Sequence, residues 1–229
     1  MSARGVPAAL VALSAGFAAL SASACAGGPS PDTQAGIAPA ISAAELSAAD
    51  VGVLPVASVV LPAATPAAVP RDSLAQALQR FADGALATAL TGTGAVGRAL
   101  SADEMAAALA TVGPDVLGIA YRAVGSAPAG PGLLDAEGGA AFAALTDLAG
   151  PRYFLVPRAL TLTGTGVLRF RGVFAVALVD APAGRLLWSG DVAAENALPP
   201  SSQSEDLYGA ALELATAAAA QAVAGALSR

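Results

Sequence analysis

Val167-Leu-Arg-Phe-Arg-Gly-Val-Phe-Ala-Val-Ala-Leu-Val-Asp180, followed by Ala-Pro-Ala-Gly184 and Arg185-Leu-Leu-Trp-Ser-Gly-Asp-Val-Ala193, decides the fold. Its first part alternates, with Leu168, Phe170 and Phe174 on one side and Arg169 and Arg171 on the other, which is the period of a strand. From Val173 to Val179 it is apolar on both faces, so that part needs cover on two sides, as in the middle of a sheet. Asp180 to Gly184 supplies turn chemistry, and Arg185 to Ala193 returns as a partner strand, giving a hairpin.

Upstream, Tyr153-Phe-Leu-Val156 continuing through Ala159 to Leu162 reads as another strand, with a turn expected at Gly164-Thr-Gly166. Val51-Gly-Val-Leu-Pro-Val-Ala-Ser-Val-Val-Leu61 is a β-branched run that reads as a buried strand bent at Pro55. Between them the pattern is helical. After the proline-rich loop from Pro62 to Pro70, Asp72 or Ser73 is placed to cap a helix with Leu74, Leu78, Phe81, Ala85 and Leu86 as its stripe.

A weak strand is expected around Val96 to Leu100. Ser101-Ala-Asp-Glu104 then has capping-box spacing for a helix lined by Met105, Leu109 and Val112. A short helix over Asp115 to Val124 and a longer one from Leu134 to Leu148, stopped by Gly150-Pro151, complete the middle. The chain closes with a helix from Glu205 to Leu227, with Ser202 or Ser204 as its cap and an alanine-rich surface suited to close packing. The expected fold class is α/β: a single mixed β-sheet with helices packed on it.

The N-terminus has a different character. Arg4 is followed by an apolar run from Val6 to Leu20, shorter than the roughly 20 residues of a membrane span, then by small residues up to Cys25. This is the layout of a signal peptide. Ala22-Ser23-Ala24-Cys25 resembles the lipobox of bacterial lipoproteins, in which the cysteine is acylated and becomes the new N-terminus; Ala22 stands where leucine is commonest. The competing reading is an ordinary A-x-A cleavage site with Cys25 incidental. Cys25 is the only cysteine, and an exported protein has little use for an unpaired thiol. Residues 1–24 are therefore expected as signal peptide, 25–49 as a lipidated flexible tether rich in Gly, Pro, Ser and Ala with room for a short helix around Ile41 to Leu46, and 50–229 as an α/β periplasmic domain. No acidic residue follows Cys25 closely, and by that resemblance the periplasmic face of the outer membrane is the expected address.

With the elements in order, three motifs carry a further resemblance. They are Val51-Gly-Val-Leu-Pro55, Leu148-Ala-Gly-Pro-Arg-Tyr-Phe-Leu-Val156 and the D-x-x-x-G-x-x-x-W pattern from Asp180 through Gly184 to Trp188. Together they resemble the periplasmic lipoprotein domains grouped around CsgG, the TolB N-terminal domain and the penicillin-binding-protein activator LpoB. The resemblance implies a mixed α/β sheet and an envelope role without choosing a partner. No segment suited to a CsgG-type pore hairpin is evident.

Chemistry is narrowed by what is missing. The 11 basic residues are all arginine and histidine is absent, which removes Ser-His-Asp and Cys-His catalysis, imidazole zinc sites, Schiff bases and the P-loop. The net charge of −6, with no basic patch, argues against nucleic acid. Gly92-Thr-Gly94-Ala-Val-Gly97 matches G-x-G-x-x-G but follows a helix instead of a strand, so it reads as a turn and not a dinucleotide site.

Asp103 with Glu104, Glu205 with Asp206, and Asp135 with Glu137 lie at helix starts, where negative charge is favoured. Arg169 and Arg171 read as a solvated strand face, against an anion grip as the alternative; Trp188 reads as core, against a ligand platform. The sequence thus nominates no catalytic, cofactor-binding or metal-binding residue and one lipidation site, Cys25. The expected role is non-enzymatic: a lipid-anchored interaction module in envelope assembly, export or cell-wall enzyme regulation, docking on an envelope protein. The alternative is a small-molecule-binding envelope lipoprotein.

Overall fold

The computed structural model describes residues 33–34, 40–66, 70–128, 130–198 and 206–229. In chain order the elements are β1 (Thr33–Gln34), α1 (Ala43–Ser47), β2 (Asp50–Val53), β3 (Val59–Val60), α2 (Arg71–Gly92), β4 (Arg98–Leu100), α3 (Ala106–Val112), α4 (Pro114–Ser126), β5 (Gly132–Leu133), α5 (Ala136–Ala149), β6 (Tyr153–Gly166), β7 (Arg169–Asp180), β8 (Arg185–Ala197) and α6 (Leu207–Leu227). The eight strands form one mixed sheet, as the sequence pattern requires. Its path is β1-β8-β7-β6-β2-β4, with β3 also beside β6 and β5 also beside β8. The strands β6, β7 and β8 form an antiparallel meander, while β2, β3 and β4 run parallel to their neighbours.

The two-sided apolarity of β7 is explained by helices on both faces. Phe174, Val176 and Leu178 lie in a core with α2 and α6, whereas Ala177 and Val179 lie in a second core with α3, α4 and α5. In the first, Gly172 makes the contact possible: a Cβ there would stand 2.8 Å from the Ala215 carbonyl oxygen of α6. The alanines of α6 (Ala211, Ala215, Ala219) meet the sheet across that gap, so small residues on both sides allow close approach. By length and composition α6 could cross a membrane, yet here its apolar face is core. In the second core Phe142 of α5 packs on Phe154 of β6 with ring centroids 6.2 Å apart.

Several local expectations are corrected. The run from Val51 to Leu61 is two strands, β2 and β3, because the backbone leaves the sheet at Pro55. The hairpin turn is not at Gly164-Thr-Gly166: β6 runs on to Gly166 through a register shift, and the chain reverses at Val167 and Leu168, the latter with φ 49°. Neither Asp72 nor Ser73 caps α2, which is entered through the extended backbone of Pro70 with Asp72 in its first turn. The buried stripe of α2 is Leu78, Ala82, Leu86, Ala89 and Leu90, with Phe81 turned outward, because the small Ala82 faces the close neighbour. Asp206 caps α6 by accepting from the Gly209 N–H at 2.8 Å; Ser202 and Ser204 lie outside the described residues.

The expected tether boundary also moves. Residues 40–49 belong to the packed unit: Ser42 caps α1, and Leu46 is fully buried in the first core. The Ala40 N–H donates to the Leu187 carbonyl at 3.0 Å, where β8 carries one residue too many against Leu178 and Val179 of β7.

Candidate functional site

The three resemblance motifs meet at one end of the sheet, where Val51 pairs with Tyr153 and Tyr153 with Asp180. Arg152 forks onto Asp180, Nε to Oδ1 at 3.2 Å and Nη2 to Oδ2 at 2.7 Å, and its guanidinium lies 4.9 Å from the Tyr153 ring centre. The pairing raises the Arg152 pKa further. Tyr153 donates its hydroxyl to Glu45 of α1 at 2.8 Å; burial, then this bond, pushes the phenol up to about 12. Gly184 takes φ 55° in the turn, and Trp188 is core. The motifs thus form a clasp between strand starts, edged by a shallow hollow of about 430 Å³. Their polar groups are spent on each other.

A second cluster, missed in the sequence, sits where β2 leaves the sheet. Val56 donates its N–H to Asp83 Oδ1 at 2.7 Å and accepts from Gln79, both on α2, while the Tyr121 hydroxyl of α4 donates to the Pro55 carbonyl. These side chains replace the ladder partners that a strand break removes. Burial pushes the Asp83 carboxyl up to about 6, opposed by the Val56 hydrogen bond and reinforced by Asp103. Burial and the nearby Asp83 also raise the Tyr121 phenol. The signal in the sequence was a proline within a strand facing a polar residue inside a helical stripe.

The third place is the strongest candidate for binding. At the far end of the sheet, residues 60–64, the end of β6, Leu168, Phe170 and Tyr208 enclose an open groove of about 590 Å³. Its walls are apolar, its side-chain polar groups are hydroxyls, and no charged residue lines it. Phe170 and Tyr208 meet edge to face with centroids 5.4 Å apart, and Tyr208 donates to Thr65 Oγ1 at 3.2 Å, tying α6 to the loop after β3. Two exposed valines stand at it: Val60 in its lining, 50% exposed, and Val167 at the hairpin tip between the lining residues Gly166 and Leu168, 96% exposed.

Cys25 lies outside the described residues, as does Glu205. Gly92, Gly94 and Gly97 form the exit from α2: Gly94 has φ 69°, and a Cβ on Gly97 would meet the Ala48 and Ala49 backbone at 3.0–3.2 Å. The Ser101–Glu104 box closes, with Ser101 N–H to Glu104 Oε2 at 2.8 Å and Glu104 N–H to Ser101 Oγ at 3.3 Å, but it holds a turn and not the expected helix start: α3 begins at Ala106 after Met105, with no side-chain cap. The Ser101 N–H and Arg98, which pairs with Glu104 at 3.0 Å, hold that carboxyl below its ordinary range. Asp135 caps α5 through the Gly138 N–H at 2.7 Å, with Glu137 in the first turn. Arg169 and Arg171 share one exposed sheet face, where Arg169 meets Glu195 at 3.5 Å. Among the described residues no three Cys, Asp or Glu side chains gather as a metal site.

No protein-family model matches the chain, and no curated protein matches it. Solved structures do. The PelC dodecamer from Paraburkholderia phytofirmans is 14% identical, with 87% of this chain and 99% of that one covered at a TM-score of 0.38. A point variant of that dodecamer gives 15% identity and a TM-score of 0.40 over the same shares. The lipoprotein GNA1162 from Neisseria meningitidis is 17% identical, covering 72% of this chain and 92% of that one at a TM-score of 0.31. At these levels the likeness leaves the function of the chain to its own residues.

Proposed function

We propose that the chain is an envelope lipoprotein, anchored through Cys25 on the periplasmic face of the outer membrane, whose domain works without catalysis by docking an envelope protein at the far groove. The observation that carries the reading is the uncharged apolar groove with its exposed rim, Val60 and Val167, on a chain of net charge −6. An apolar groove left open to water is stabilised when a partner's apolar side chains cover it. The carboxylate with the raised pKa, Asp83, is engaged by the Val56 N–H and lines neither the hollow nor the groove, so its role in this reading is structural.

The test is photocrosslinking in the native cell with a photoreactive residue at Val60 or Val167, compared with Leu133 and Leu148, exposed apolar residues away from the groove. A discrete adduct from the groove positions alone supports docking there. Adducts of equal yield from all four positions reject it.

The second reading, a small-molecule site, is favoured by the groove volume, which falls in the range of about 300–1,000 Å³ typical of ligand pockets. Native mass spectrometry of the purified chain separates the two: a stoichiometric co-purified compound, displaced by Phe170→Ala, favours the ligand.

A further inference from the structure

Among the described residues, the groove runs along an open strand edge. The short strand β3 pairs with β6 only at Val59↔Leu160 and Val60↔Thr161, whereas β6 continues to Gly166. Leu160 sends its N–H toward β3, to the Ser58 carbonyl at 2.9 Å. Alternate residues of a strand present their main-chain groups to the same edge, so Leu162 and Gly164 also face the β3 side. Thr161 and Thr163 face β7, in register with Val173 and Arg171. The parallel ladder would next need an N–H at position 62, and Pro62 has none. Its carbonyl is already taken by the Thr65 N–H at 3.2 Å, the Thr65 hydroxyl at 2.6 Å and Arg71 at 3.3 Å, which pull the chain away from β6. The Leu162 carbonyl and the Gly164 main chain are left facing the groove.

Building on the docking reading above, we propose that the groove takes an extended, uncharged peptide segment of the partner as an added strand on the β6 edge, in line with β3. The open edge spans Leu162 to Gly166, room for roughly 16 Å of strand. Main-chain hydrogen bonds to Leu162 and Gly164 would hold the segment, and alternate apolar side chains would enter against Leu168, Phe170 and Tyr208. Charge decides the occupant's composition: with no charged residue in the lining, a charged side chain would be desolvated without a partner, whereas Val, Thr, Ala or Ser would not. A Cβ on Gly164 would meet only Phe170, at 3.7 Å, so the edge stays approachable.

The test uses an uncharged, end-blocked peptide of alternating valine and threonine, about six residues long, with a second form N-methylated on alternate amides. Hydrogen exchange of the full chain should slow at Gly164 by about tenfold or more with the first peptide, and the methylated form should bind about tenfold more weakly. Gly164→Pro, which removes an edge N–H that β7 does not use, should weaken binding of the first peptide to the level of its methylated form. Equal binding of both peptides, or an unchanged Gly164 amide, overturns strand addition. Loss of the groove-specific adduct from Val60 would instead reject docking as such, so the two failures are distinguishable.

Discussion

Gly172 and Asp83 show what single residues do in this fold. A methyl at Gly172 would press on the Ala215 carbonyl at 2.8 Å and the Ala219 Cβ at 3.1 Å, so Gly172→Ala is expected to cost about 1–3 kcal/mol, read from urea midpoints. Asp83 carries a pH dependence of definite sign. Its folded pKa is about 6, above the unfolded value of about 3.9, so between the two the folded chain holds a proton that the unfolded chain has released. Its contribution is therefore full below the lower value and lost as pH rises through the upper. Asp83→Asn keeps an oxygen for the Val56 N–H and should flatten that slope; parallel midpoint-versus-pH curves for wild type and variant would refute the assignment. The sequence carried only the two ingredients, Pro55 in a strand and Asp83 in a helical stripe, and their meeting was not legible until Pro55 is seen to send Val56 against Asp83.

For the elements, legibility followed periodicity and failed at the ends. The alternation from Leu168 to Phe174 and the two-sided run to Val179 placed β7 between two cores correctly, because side chains on opposite faces of a strand report directly on their cover. Phe174 is fully buried, and Phe174→Ala should cost about 3–5 kcal/mol, whereas a loss below about 1 kcal/mol would mean an exposed edge. Ends were misread where glycine and serine suggested turns and caps. Gly164 and Gly166 stay within β6 around a register shift, and the α6 cap is Asp206. Asp206→Ala should accordingly lower stability by about 0.5–2 kcal/mol. The groove went unseen because Pro62, Phe170 and Tyr208 are far apart in sequence and meet only through the sheet.

At the scale of the whole molecule, the proposed anchor would limit how far the domain stands from a membrane. The packed unit includes Leu46, and β1 pairs Thr33 and Gln34 with Val192 and Asp191 of β8. Low-complexity composition hid the β1 pairing, whereas the short helix read around Ile41 to Leu46 is α1. If Cys25 carries lipid, the chain from Cys25 to Thr33 can span no more than roughly 26–29 Å, at about 3.3–3.6 Å per residue. That bound holds β8 near the bilayer. Trp188, the sole tryptophan, lies on β8 four residues from Val192, the residue paired with Thr33, and serves as a built-in donor. In vesicles bearing a headgroup acceptor dye, the lipidated chain should transfer energy from Trp188. Cys25→Ser should abolish both the transfer and fatty-acid labelling, and about twelve flexible Gly/Ser residues inserted after Cys25 should reduce transfer while leaving labelling intact. Equal transfer from the wild type and Cys25→Ser would reject the anchor. Transfer unaffected by the insertion would mean that a surface of the domain, and not the length of the tether, sets its distance from the membrane.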